Sequence, residues 1–460
     1  MKNPLVEHGA LRLSEDKKYL EHADGLPFFW LADTWWYGMT RRMPMPVFKK
    51  MAADRRKKGF TVIQVVVGVP PEIEAFSPDA GNSGGLPFHP DKTLNLAYFR
   101  EVDRKIKHLV DSGLVPCIVG GWGGQIDSLG VRAIKQLWKE IVDRYAKYPV
   151  VFCVCGEADI FSIPTKPILN KLLSLAPTWL NSGLRKTKRV IIGDFKNQRL
   201  NQRLQKWDEV GRYIRQIDSF HRPLTVHIQA PTTAGKLFPG SSWLDIDSLQ
   251  SGHAKERAAF MVDTILENQG SGRPIINLEP WYEGILGDFG AEAQRYAFWM
   301  CILAGAKGHT YGAHGLWQMA KNSDFLGHWG DSDWKQAWQL PGSAELGKGK
   351  KFLERLEWWQ LKPNLGIIQP HWQVNRLDGP LAAEVGARQM LIYFPKTNKN
   401  RTYWLRLEAN AAGRISWLDP RTLLVVQKQK YAGRKIKLKP PEQLGEQDAL
   451  VKVKIELVAK

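Results

Sequence analysis

Cysteine is scarce in this chain, with only Cys117, Cys153, Cys155 and Cys301 among 460 residues. Four such scattered residues make no disulfide framework, so the fold must rest on a packed core. Cys153 and Cys155 alternate along a strand-like run and have no partner at metal-ligand spacing, so they read as small buried side chains. Long apolar runs are missing too. None approaches the ~20 residues needed to cross a bilayer, and no membrane span is expected. The first twenty residues, MKNPLVEHGALRLSEDKKYL, lack the apolar core of a signal peptide. As written, the chain is expected in the cytoplasm, or in the periplasm or outside the cell if an export segment has been removed. No Gly-rich phosphate loop follows the first strand, and no HxH or HExxH pair occurs, so neither cofactor nor metal is expected.

What is present is a soluble globular composition, 43% hydrophobic and 24% charged, with a net charge of +19. About half of that charge follows Asn364, where 17 Lys and Arg face 8 Asp and Glu. Such a balance suits nucleic acid, an anionic membrane surface or an acidic polysaccharide, and a solvated basic face is the favoured reading. The basic residues are dispersed, as in KTNKNR and GRKIKLK, and form no nucleic-acid motif, so no nucleic-acid partner is expected. No oligomeric state is assigned.

From Leu26 to about Leu361, short apolar runs alternate with longer helical patterns. The runs are PFFWLAD, FTVIQVVVG, LVPCIVGGW, PVVFCVCGE, RPLTVHI, WLDIDSLQSGH, PIINLE and AKGHTYGAH. Between them stand amphipathic segments such as FREVDRKIKHLVDSG (99–113) and VRAIKQLWKEIVDRYAKY (131–148), with apolar positions three and four apart. Strand–helix alternation implies parallel pairing through right-handed crossovers, and eight strands imply a (β/α)8 barrel over 26–362. Residues 160–206 read as an insertion carrying its own strand, RVIIGDF. Residues 1–25 read as an N-terminal extension or hairpin. After Pro363, short strand-like runs punctuated by turns predict a small antiparallel β-sandwich over 363–460.

Functional side chains of such a barrel sit at the C-terminal ends of its strands. Strand one offers Asp33, Trp35 and Trp36, and strand three offers Trp122. Strand four offers Glu157 and Asp159, strand five His227, and strand six Gln250 and His253. Strand seven, in RPIINLEPWYEGI, stops on Glu279 and is followed by Trp281, Tyr282 and Glu283. Strand eight leads to His309, Tyr311, His314 and Trp317. Carboxylates on strands four and seven face one another across a barrel mouth. Glycosidic bond cleavage needs such a pair, one acid to protonate the leaving oxygen and one carboxylate to attack or to activate water. The 19 Trp supply platforms for the apolar faces of sugars.

The segments LADTWWYG (31–38), WLDIDSLQSGH (243–253), PIINLEPWYEG (274–284) and GHTYGAHGLWQ (308–318) resemble those of apiosidase-like glycoside hydrolases. The resemblance implies a TIM barrel with a small C-terminal β-domain. It also implies that Glu279 is the nucleophile and the strand-four acid the general acid/base. The family ends strand four with an aspartate after two glycines, whereas CGEAD here offers Glu157 and then Asp159; Glu157 is preferred, with Asp159 the alternative. The expected function is hydrolysis of a plant or microbial glycan with retention, with Asp33, Gln250, His227 and Tyr311 positioning the sugar. The alternatives are a carbohydrate-binding barrel without catalysis and a basic polysaccharide-adhesion protein.

Overall fold

The computed structural model describes residues 3–160, 181–229, 231–321, 326–397 and 401–456. Eight parallel strands form the expected barrel: β1 Trp30–Trp35, β2 Val62–Val66, β3 Val115–Val119, β4 Val151–Cys153, β5 Leu224–Thr225, β6 Asp247–Gln250, β7 Ile275–Glu279 and β8 Gly308–Tyr311. All are buried along their length, as strands covered on both faces must be, which explains why runs such as β2 and β3 read as apolar without alternation. They pair in the order β5-β4-β3-β2-β1-β8-β7-β6. The seam between β5 and β6 has no ladder and is joined by single bonds. Thr225 Oγ1 donates to the Ile246 carbonyl at 2.9 Å, and Ser248 Oγ donates to the Val226 carbonyl.

Helices α1 Met45–Lys58, α2 Leu96–Asp111, α3 Val131–Tyr145, α4 Asn181–Ile217, α5 Ala258–Glu267, α6 Ala291–Leu303 and α7 Pro341–Leu353 follow the strands. Helix α2 shows why they form. Asn95 caps it by accepting from the Ala97 amide, and Phe99, Val102, Ile106 and Leu109 present one buried stripe to the sheet. Between β5 and β6 the only helix among the described residues is the single turn Ala234–Leu237, between Pro231 and Pro239–Gly240, residues that break longer helices.

The strand expected at RVIIGDF is overturned, because these residues lie within α4. Good helix formers flank the run on both sides, and they prevail over its β-branched Val190, Ile191 and Ile192. Residues 161–180 of the expected insertion lie outside the described residues. The N-terminal segment does form a hairpin, Leu11–Leu13 against Leu20–His22, at the end where β1 begins and so opposite the mouth.

The C-terminal strands are β9 Leu361–Pro363, β10 Ile368–Gln369, β11 Leu381–Val385, β12 Gln389–Phe394, β13 Tyr403–Leu418, β14 Val425–Leu438 and β15 Ala449–Glu456. They make one antiparallel sheet, β9-β11-β12-β15-β13-β10, with β14 on β13. Two expected strands, RTYWLRLEA and ISWLDP, are a single strand, β13. The intervening residues make a bulge between Arg406 and Ala411 rather than a turn. Period-two alternation divides the sheet's packing. Leu381, Leu391, Tyr393 and Leu450 join the barrel core, while Ile392, Phe394, Leu405, Trp417 and Val451 form a second core on the other face. A buried bridge fixes the join: Arg295 of α6 grips both oxygens of Asp448 at 2.7 and 2.8 Å, and Tyr393 donates to Asp448.

Candidate active site

At the C-terminal ends of the strands lies a cavity of about 510 Å³ lined by both Glu157 and Glu279. The two acids arrive by different routes. Glu279 is the last residue of β7 and needs only a regular strand to reach the mouth. Glu157 lies four residues beyond β4, in left-handed backbone at φ +40°. A glutamate seldom adopts that conformation, and such strain persists where surrounding structure enforces it. Here the neighbours interlock. A Cβ on Gly156 would run into the Trp122 ring, and one on Gly123 would meet the Glu157 carbonyl. The glycines of GGWGG and CGE thus let two loops close on each other.

One side chain joins the acids. Gln250 Nε2 donates to Glu157 Oε1 at 3.1 Å and to Glu279 Oε1 at 2.9 Å. The two acceptor oxygens can be no farther apart than these two bonds laid end to end. Trp122 Nε1 donates to Glu157 Oε2 at 3.1 Å. His227 touches both acids. Its Nδ1 accepts the Glu157 amide at 3.3 Å, which leaves the proton of a neutral ring on Nε2, 3.3 Å from Glu279 Oε2. His253 Nε2 lies 3.2 Å from Glu279 Oε1.

These partners drive the acids apart. Burial, and then the charge of Glu279, raises the Glu157 carboxyl above the usual range. Burial also pushes Glu279 upward, but hydrogen bonds and charge from His227 and His253 outweigh it and hold Glu279 well below the usual range. Two buried polar atoms at the mouth, Gln250 Oε1 and His253 Nδ1, have no hydrogen-bond partner among the described residues. Trp36, Trp122, Tyr282 and Trp317 line the same cavity, with Trp36 Nε1 donating to the Tyr282 hydroxyl at 2.9 Å. Among the described residues, no three His, Cys, Asp or Glu side chains are gathered as a metal site.

Other expected site residues lie elsewhere. Asp33 is fully buried, accepting from Arg55 Nε at 2.5 Å and from Trp35 Nε1 at 2.8 Å. Both Asp33 and Trp35 therefore serve an internal ion pair and leave no group for a sugar. Tyr311 donates to Glu283 Oε2 at 2.6 Å, and Glu283 also accepts the Gly342 amide, so that pair is likewise satisfied internally. Asp159 accepts the Gln229 amide at 2.6 Å and does not line the cavity. Trp281 turns the other way, stacking on Phe289 and Tyr296 toward the C-terminal sheet. His314 bonds the Gly330 carbonyl and lies beside Trp317 Nε1, so it supports an aromatic wall.

Glu72, Gln229, Arg257, Leu286, His328 and Trp329 complete the rim and were not expected from sequence. They stand on loops after β2, β5, β6, β7 and β8 without a local motif. Trp329, between His328 and Gly330, was the one aromatic signal available. Glu72 ties two of these loops together, accepting from Trp329 Nε1 at 2.6 Å and lying 3.0 Å from His328.

No curated protein matches the chain. Among solved structures, one described as a glycoside hydrolase superposes with a TM-score of 0.78 at 20% identity, covering 99% of this chain and 98% of its own. A family 5 glycoside hydrolase from Bacteroides vulgatus ATCC 8482 gives 0.77 at 20% identity, covering 98% and 95%. At such identity these likenesses speak for the fold. The family description "Apiosidase-like, catalytic domain" matches residues 14–360, nearly the whole barrel. On that match, the chain belongs to the apiosidase-like family of glycoside hydrolases.

Proposed function

We propose that this protein hydrolyses a glycosidic bond of a plant or microbial glycan with retention, using Glu279 as nucleophile and Glu157 as general acid/base. The observation that carries this reading is the single Gln250 nitrogen bridging buried Glu279 and partly buried Glu157, two carboxylates of opposite proton affinity. Retaining hydrolases hold their carboxyls about 5–5.5 Å apart, and inverting ones 6.5–9.5 Å, to admit a water. A bridge built of 2.9 and 3.1 Å bonds favours the shorter class.

In the first step Glu279 attacks the anomeric carbon while protonated Glu157 gives its proton to the departing oxygen. Glu157, now ionised, then takes a proton from the water that cleaves the glycosyl–Glu279 bond, which restores both groups. Gln250 holds the acids in register through both steps, and His227 and His253 keep Glu279 ionised. The unpartnered Gln250 Oε1 and His253 Nδ1 supply hydrogen bonds for sugar hydroxyls. Asp159, bonded away from the cavity, has no part in this scheme.

The test is turnover of an aryl glycoside panel by Glu279→Gln and Glu157→Gln, with the product anomer followed by NMR. We expect loss of turnover in the first and retention in the wild type. Near wild-type rates in both variants, or an inverted product, would overturn the proposal.

A further inference from the structure

The basic excess after Asn364 has a definite place in the fold. Strands β13 and β14 turn Tyr403, Leu405, Ile415, Trp417, Ile436 and Leu438 into the second core. The alternate residues necessarily point to the opposite face. On that face the register sets cations directly against cations. Arg406 pairs with Lys435, and Arg414 stands between Lys430 of β14 and Lys454 of β15. All five are exposed. Among the described residues only Arg414 has a carboxylate partner, Glu456 at 3.0 Å. Lys437 lies opposite Trp404, whose ring carries Lys435 Nζ at 4.4 Å above its centroid.

Like charges directly opposite on neighbouring strands destabilise a sheet. A merely solvated surface is better served by alternating signs. A row of unneutralised cations around a partly exposed indole suits a polyanion that also offers a flat ring face. We infer that this face of the β13–β14–β15 sheet is a docking site for an acidic, carboxylate-bearing polysaccharide. The choice of a glycan over other polyanions rests on the hydrolase reading of the barrel. Trp404 supports it independently, because a sugar ring can stack where a lipid headgroup cannot. The face would hold polymer near the enzyme without contributing a group to the mouth.

The experiment uses the full chain in low salt, with polygalacturonate and its methyl-esterified form as probes in affinity electrophoresis. Polygalacturonate should retard the protein and the neutral ester should not. Combined Lys430→Gln, Lys435→Gln and Lys437→Gln should weaken binding about tenfold or more, whereas Lys→Arg at the same positions should preserve it. Neither set should alter turnover of whichever aryl glycoside the wild type accepts. Equal retardation by the ester, or wild-type binding by the Gln variant, would overturn the inference. So would tighter binding to phosphatidylserine vesicles or duplex DNA than to polygalacturonate. Polymer binding by a protein that cleaves no aryl glycoside would support this face and overturn the hydrolase reading instead.

Discussion

Two pairs of acids sit in or just beyond the strands of this barrel, and they have opposite characters. On β1, Asp33 is matched by the Arg55 guanidinium, and in the loop after β7, Glu283 by the Tyr311 hydroxyl and a backbone amide. At β4 and β7, Glu157 and Glu279 face each other through an amide and two imidazoles, with no Lys or Arg between them. The first pair is closed, with its hydrogen bonds met inside the fold. The second opens onto a cavity and leaves polar atoms unpartnered. A carboxylate at a strand end is therefore insufficient to mark a catalytic group. What distinguishes the two pairs is whether the carboxylate is satisfied by partners inside the fold or faces an open cavity.

The sharpest way to break this contrast is to remove one acid from each pair. Glu279→Gln is expected to lower kcat about 10³-fold or more with little change in thermal stability, because a transition-state interaction is lost. Asp33→Ala should do the reverse. It takes the fully buried partner from Arg55, leaving only Asp54, and we expect about 3 kcal/mol of stability lost in denaturant titration, with kcat of the folded fraction within a few-fold of wild type. Equal catalytic losses in both would erase the distinction.

A second contrast lies in pH. Because the Glu157 carboxyl is raised on folding, its contribution to stability is fully present below its unfolded pKa and fades as pH rises through its folded pKa. Glu157→Gln should therefore raise Tm relative to wild type near pH 8 more than near pH 4. The same ionisation should set the basic limb of kcat/KM, and the variant should lose that limb on substrates with good leaving groups. Glu279 behaves oppositely. Its depressed pKa places the acid limb below the ordinary carboxylate range, and His253→Ala should move that limb upward. The smallest catalytic effect is expected for Trp281→Phe. That ring packs away from the cavity, so kcat should stay near wild type while Tm falls slightly.

Much of this architecture was legible because the signals are local. Apolar runs such as FTVIQVVVG and LVPCIVGGW can hardly be anything but strands covered on both faces, and helix stripes such as Phe99, Val102 and Ile106 repeat at the helical period. Glu279 was readable for the same reason, as the end of one such strand. Asp33 was misread because its partner, Arg55, sits 22 residues away on α1, where nothing in the local sequence reveals which way a guanidinium points. RVIIGDF was misread because the helix propensity of a long flanking segment overrode seven residues of strand-like composition.

The sequence by itself determined the barrel, the later antiparallel sheet, and the candidacy of Glu157 and Glu279, since periodicity and strand ends are properties of consecutive residues. Only the tertiary structure decided which acids are satisfied inside the fold and which face the cavity. It alone joined Glu157, His227, Gln250 and Glu279 through bonds that span 29 to 93 positions. Proton affinity depends on distance through space and on burial, and both come into being only when the strands close around a common mouth.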